Sequence, residues 1–286
     1  MPGLAARGRL RPLLRGLLLL LASSAAPALA APPAAKPQRI VSLNLCTDQL
    51  LLQLVERERI QALSILSQSA LNTVLHAEAE GLPVATGNAE EVIAMAPDLV
   101  LVGSYTTRHT TAMLRRFGIP VLAIPGANSF AEVASELRTV AAAVGEIERG
   151  EALIADFEQR ARALEAHHRK PRPLATQFIS GGFSAGSHTL YHDIFAAGGH
   201  DNGGAQAGLV GYGHLPLEQL IAHAPAVLIT SDYRRDQPTL GNRLLQHQAI
   251  TALGVRELAM PARLTVCGGD WNLDAAAMLL AADTQP

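Results

Sequence analysis

The stretch Asn88–Tyr105, NAEEVIAMAPDLVLVGSY, decides the reading of this chain, because Pro216–Tyr233, PLEQLIAHAPAVLITSDY, repeats it 128 positions later. Identical pairs fall at Glu90/Glu218, Ile93/Ile221, Ala94/Ala222, Ala96/Ala224, Pro97/Pro225 and Tyr105/Tyr233, and the apolar pattern matches at most other positions. Each copy reads as a short amphipathic helix, stopped by proline, that runs into a buried strand. The helices are expected over 89–96 and 217–224, the strands over 99–102 and 226–230. A chain that builds this unit twice, about half its 286 residues apart, predicts two similar α/β lobes. Each copy also sets a glutamate in the first turn of its helix.

Working outward, RIVSLNL at 39–45 predicts a first buried strand, and Cys46-Thr47-Asp48 offer cap residues for a helix bearing Leu50, Leu51 and Leu54. A second strand is expected over 60–66, a helix over 71–79, an extended piece at 83–85, a helix over 107–117 and a strand over 119–124. Strands alternating with helices imply mainly parallel sheets covered on both faces. Ser129 and Glu132 have capping-box spacing and start a helix to about Val144. Residues 148–168 then carry Leu153, Ile154, Phe157, Ala161 and Leu164 at helical spacing, up to Lys170-Pro171-Arg172-Pro173. A single long helix between two α/β halves acts as a stiff strut. The organisation expected is an N-terminal lobe over 38–144, an interdomain helix over 145–170 and a C-terminal lobe over 171–286. In the latter, a strand over 174–179, helices over 190–197 and 242–253 and a closing helix over 273–282 flank the second repeat.

Residues 1–30 read as a cleaved signal peptide. Arg7, Arg9, Arg11 and Arg15 form a basic region, an apolar run follows over 17–22, and Ala28-Leu29-Ala30 fits a cleavage site. The run is too short to span a membrane, which takes about 20 apolar residues. Without this segment 19 basic residues face 25 acidic ones, a formal charge of −6. That balance argues against nucleic acid or anionic lipid as a partner. In an oxidising compartment such as a periplasm Cys46 and Cys267 can form a disulfide; two buried free thiols are the alternative.

The segments RIVSLNLCTDQLL (39–51), NAEEVIAMAPDLVLVG (88–103), the long helix at 148–168 and LPLEQLIAHAPAVLITSD (215–232), in this order and spacing, resemble the class III periplasmic substrate-binding proteins of ABC importers. The resemblance covers roughly 38–283. It implies capture of a metal chelate, a ferric siderophore or a cobalamin-type corrinoid, in a cleft between the lobes, and delivery to an import permease by a monomer. It further implies that Glu90 and Glu218 meet arginines on the two permease subunits; the alternative is that both are capping acids. A zinc- or haem-binding protein of the same fold is the nearest other function.

In such a fold the ligand meets the loops that follow the strands' C-terminal ends. Three of four tyrosines and the single tryptophan fall in these loops. The expected contacts are therefore Tyr105, Arg108, Phe183, Tyr212, Tyr233 and Trp271, with Arg234 and Arg235 as further cations for an anionic chelate. Tyr212 stands six residues before Glu218, where the cobalamin-binding relatives carry an aromatic against the corrin. His188 and His192, four apart and expected on one helix face, invite a metal reading, but no His-rich loop accompanies them and no resident metal or cofactor is expected. Gly182-Phe183-Ser184-Ala185-Gly186 spells the Gly-x-Ser-x-Gly of a hydrolase elbow. Glycines ahead of it and Ser187-His188-Thr189 behind it predict a longer loop, so a binding protein is expected and an enzyme is not.

Overall fold

A computed structural model describes residues 35–104, 106, 108–168, 170–231 and 239–282. The signal segment 1–30, Tyr105, Thr107, Tyr233, Arg234 and Arg235 lie outside the described residues.

The first half winds β1 (Ile40–Ser42), α1 (Leu45–Leu54), β2 (Ile60–Ser64), α2 (His76–Ala79), β3 (Val84–Ala85), α3 (Ala89–Ala94), β4 (Leu99–Gly103), α4 (Arg108–Arg116), β5 (Val121–Ile124) and α5 (Phe130–Val144). Its five strands are all parallel, in the order β3-β2-β1-β4-β5. After α6 (Ile147–Glu165) come β6 (Leu174–Gln177), β7 (Phe183–Ala185), α7 (Leu190–Ala197), β8 (Asp201–Asn202), α8 (Gly203–Gln206), β9 (Tyr212–His214), α9 (Leu217–His223), β10 (Val227–Ser231), α10 (Leu240–Leu245), α11 (Gln248–Ala252), β11 (Arg256–Met260) and α12 (Trp271–Ala282). Here a four-stranded parallel sheet runs β11-β10-β6-β8, and β7 pairs antiparallel with β9 as a separate ribbon.

The repeat makes equivalent strands in the two sheets, apolar on both faces over Leu99–Val102 and Val227–Ile229. In β4, Leu99 and Leu101 face the core shared with α1, α5 and α6, while Val100 and Val102 face Val92 and Leu114 on α3 and α4. In β10, Val227 and Ile229 face α7 and α12, while Leu228 faces Phe178, Leu220 and Ile250. A strand buried on both faces must read as a continuous apolar run, as both copies do. Ser129 caps α5 as expected, its hydroxyl accepting from the Glu132 amide at 3.2 Å, and Gly145 ends the helix in the left-handed conformation (φ 77°).

Three local expectations are corrected. The helix expected over 71–79 shrinks to α2, four residues, preceded by a 3₁₀ turn at Ile65–Gln68. The helix expected over 242–253 is two, broken at Gln246-His247. Arg256–Met260 forms β11, an edge strand that had not been expected. Its residues RELAM mix charge and apolarity because one edge is open to solvent.

Helix α6 packs against α5 on one side and against α7 and α12 on the other. Gly150 lets it approach α5 closely, since a β-carbon there would stand 2.5 Å from that of Ala141. Arg160 of α6 binds Asp270 (3.1 Å) and Asp274 (2.7 Å) at the start of α12.

Candidate functional site

Open parallel sheets gather ligands where the strand order reverses, beyond the strands' C-terminal ends. In the first sheet that point lies between β1 and β4. Asn44 follows β1 and caps α1, its Oδ1 accepting from the Cys46 amide at 2.9 Å. The Asn44 amide lies over Gly103 at the end of β4, where a β-carbon would come within 2.5 Å of it. A side chain at 103 would therefore dislodge the cap. The Gly103 amide in turn donates to Thr106 Oγ1 at 3.0 Å, and Arg108 opens α4, exposed.

Behind this turn sits Asp48, fully buried. It accepts from the Ser64 amide (3.2 Å) and from the Ser64 hydroxyl, tying α1 to the end of β2. Burial pushes its carboxyl up to about 7, against the hydroxyl and amide donors of Ser42 and Ser64 that favour the anion.

In the second sheet the reversal lies between β6 and β10. The chain leaving β6 turns through Gly181 (φ 73°) and Gly182 (φ 76°) into the β7–β9 ribbon. Phe183 and Tyr212 project from that ribbon, 43% and 44% exposed. Their rings are parallel to within 3° with centroids 5.9 Å apart. Offset-parallel aromatic faces held open to solvent make a flat apolar platform. His214, also exposed, pairs across the ribbon with Phe183.

The two strand-end regions meet through a covalent bond. Cys46, in the first turn of α1, is disulfide-bonded to Cys267, which lies between β11 and α12, with Cα atoms 5.2 Å apart. Near these ends sit apolar side chains that the sequence reading passed over. Ile65 and Leu66 follow β2, Leu71 follows in the same loop, and Val266 precedes Cys267; their exposures are 62%, 48%, 66% and 55%. The signal was present in the sequence, as an Ile-Leu pair directly after a strand, but was absorbed into that strand.

Trp271 is corrected. It is 1% exposed, and its indole N–H donates to the Cys267 carbonyl at 2.9 Å, within the core formed by Tyr191, Leu264 and Leu279. The ring fills the space beside Gly269, where a β-carbon would strike it at 2.2 Å. His188 and His192 do not share a helix face: His188 precedes α7 in a left-handed conformation (φ 56°), and Thr189 caps the helix after it. Among the described residues no group of three His, Cys, Asp or Glu side chains is placed to hold a metal ion. Ser184 lies in β7, fully buried, and donates its hydroxyl to the Gln177 carbonyl at 2.5 Å. A nucleophile needs an accessible oxygen with a base beside it, and Ser184 has neither solvent access nor a free proton.

Glu90 and Glu218 are exposed in the first turns of α3 and α9. Neither side chain bonds to another described residue. Asn88 caps α3 by accepting from the Glu90 amide at 3.1 Å, and the neighbouring Glu91 takes the Thr86 amide at 3.0 Å.

A family model described as "Periplasmic binding protein" matches residues 40–253. A cobalamin-binding protein of Halobacterium salinarum is 28% identical over 203 residues, covering 68% of this chain and 54% of that protein. The chain thus spans about half the length of the curated relatives it matches. The periplasmic haem-binding protein HutB of Vibrio cholerae superposes with a TM-score of 0.75 at 17% identity over 87% of this chain and 99% of its own. The periplasmic vitamin B12 binding protein BtuF of the same organism gives 0.64 at 19% over 87% and 99%, and the haem-binding RhuT of Roseiflexus sp. RS-1 gives 0.67 at 23% over 86% and 98%. At these identities the likeness establishes the fold.

Proposed function

Because the chain belongs to the periplasmic binding protein family, a family of solute carriers rather than enzymes, we propose that it captures a metal-centred macrocycle of corrinoid type. It then delivers that ligand to an ABC import permease. The observation that carries the reading is the parallel, half-exposed Phe183–Tyr212 pair at the switch point of the second sheet. A ring system with large flat or weakly polar faces gains from stacking on such a platform, and a small hydrophilic solute does not. The 28% identity to a cobalamin-binding protein favours a corrinoid over other chelates. The aliphatic side chains Ile65, Leu66 and Leu71 after β2 fit an apolar opposite wall.

In this reading residues 1–30 are removed on export, and the carrier works as a monomer in the periplasm. Glu90 and Glu218 dock it. Both are exposed carboxylates with no side-chain bond to another described residue, one per half, each in the first turn of a helix. Arginines receive such groups in a directional, two-pronged pair, so two pairs fix the carrier's orientation.

Titration of the purified mature chain with cyanocobalamin, haemin, a ferric hydroxamate and a ferric catecholate tests the ligand, read by calorimetry and by visible absorbance. Saturable one-to-one binding of cyanocobalamin, with weaker binding of the others, is expected. Preference for haemin or a ferric chelate would overturn the corrinoid assignment.

A further inference from the structure

The two halves touch along a seam beside α6. On the N-terminal side stand the first turn of α1 and the start of α5; on the C-terminal side stand α7 and the segment 264–271. The Phe130 amide donates to Asp193 Oδ2 across this seam at 2.7 Å. Leu45 and Val133 from the first half share a core with Tyr191, Leu264 and Trp271 from the second. Gly268 presses so closely on the first half that a β-carbon would stand 2.6 Å from Val133 Cγ2 and 3.0 Å from Ala127 Cβ. Helix α6 crosses behind, with Phe157 edge-on to Phe130 at 5.1 Å. Besides the main chain, the Cys46–Cys267 bond joins the halves covalently, linking residues 221 apart.

We infer that the Cys46–Cys267 disulfide is a positioning pin at the closed end of the cleft. It fixes the angle between the halves so that the site is preformed before ligand arrives. Helix α6 leaves one half and enters the other at a single place, and a single connection permits rotation about itself. A second, covalent connection at Cys46 removes that freedom. Cys46 stands two residues after Asn44, the cap that lies over Gly103, and Cys267 follows Val266. The pin therefore couples the strand-end turn of the first sheet directly to the strand-end segment of the second. Noncovalent contacts alone leave such a seam a wider range of angles than the same contacts with a covalent bond across them.

The test uses the mature chain with Cys46→Ser and Cys267→Ser together, compared with the oxidised protein. The first readouts need no ligand. Far-UV circular dichroism establishes that the variant keeps its fold at 20 °C. Hydrogen exchange at the Phe130 amide is then expected to quicken at least tenfold, while amides in β4 and β10 stay protected, and the scattering radius of gyration is expected to grow. Cyanocobalamin affinity is expected to fall about tenfold. Should the double variant not fold, the same measurements are made on native protein reduced with a phosphine after folding. Unchanged Phe130 exchange and an unchanged radius of gyration would overturn the pin. The affinity readout rests on the ligand reading above. Failure of cyanocobalamin to bind either form would sink that reading and leave the ligand-free readouts to decide the pin.

Discussion

Ala96 and Ala224, 128 positions apart, hold the same backbone conformation: both are left-handed, with φ of 47° and 37°, and each stands directly before a buried proline. The repeat in sequence is thus a repeat in backbone geometry. Each alanine ends its helix and turns the chain through Pro97 or Pro225 into β4 or β10. The Arg39 guanidinium reinforces the first turn by donating from Nε to the Ala96 carbonyl at 3.0 Å.

A left-handed alanine costs about 1–2 kcal/mol that glycine avoids. Glycine in place of alanine costs about 0.5–1 kcal/mol through backbone entropy. At these two exposed positions the first term offsets or exceeds the second. Ala96→Gly and Ala224→Gly should each leave stability unchanged or raise it by about 0.5–1 kcal/mol. Urea unfolding measures this, with Ala94→Gly inside α3 as the contrasting, destabilised control.

Replacing Phe183 or Tyr212 by alanine should weaken cyanocobalamin binding about tenfold, since losing an aromatic stack costs about 0.5–1.5 kcal/mol beyond buried area. Both side chains are half exposed, so the melting temperature should move little. Trp271→Phe should do the reverse. It strips a buried hydrogen bond to Cys267 and should destabilise by about 1–3 kcal/mol, without direct loss of ligand contact. Calorimetry and thermal melts on the three variants separate these effects; unchanged affinity in Phe183→Ala would remove the ribbon from the binding site.

Glu90→Lys and Glu218→Lys should leave folding and ligand affinity within about 0.5 kcal/mol, because both side chains are solvent-exposed. Uptake through the cognate permease should fall, and fall further than with alanine, because a reversed charge sets like charges against each other across the docking face. Normal uptake by the double lysine variant would reduce both glutamates to ordinary surface acids.

Asp48 gives a pH dependence of known sign. Its carboxyl titrates near 7 when folded and near 3.8 when unfolded, so between these values the folded chain holds the extra proton. Stability contributed through this group is therefore greatest below about pH 4, falls as pH rises to 7 and is level above that. The difference amounts to at most about 4 kcal/mol. Asp48→Asn should abolish that part of the slope while keeping an acceptor for the Ser64 amide. Guanidinium melts of both proteins from pH 4 to 8 check it, and parallel slopes would show that Asp48 does not titrate in this window.

What was legible in the sequence follows from where burial is two-sided. LVLV and VLI are continuous apolar runs, each preceded by a proline two residues ahead of it, so strand, helix and order could be read from them. Arg256–Met260 was missed because an edge strand presents alternating charge to water, a pattern it shares with loops. Trp271 misled because a loop position next to Gly268-Gly269 suggested exposure, whereas the glycines are there to make room for the ring. Phe183 and Tyr212 were singled out as ligand contacts and are exposed, but their stacking depends on the pairing of β7 with β9, which brings together residues 29 apart with two helices between them. The Ile65–Leu71 surface was missed for the opposite reason: apolar residues after a strand look like more strand until the chain is seen to turn.

Among the described strands the central strand β1 is the first to be synthesised, and Cys46 follows it almost at once. Its partner Cys267 arrives 221 residues later, after every described strand. With only two cysteines in the chain, no wrong pairing exists to be formed and corrected. The oxidised pair therefore records that synthesis has passed Cys267: a chain that stops short of that residue carries Cys46 as a lone thiol.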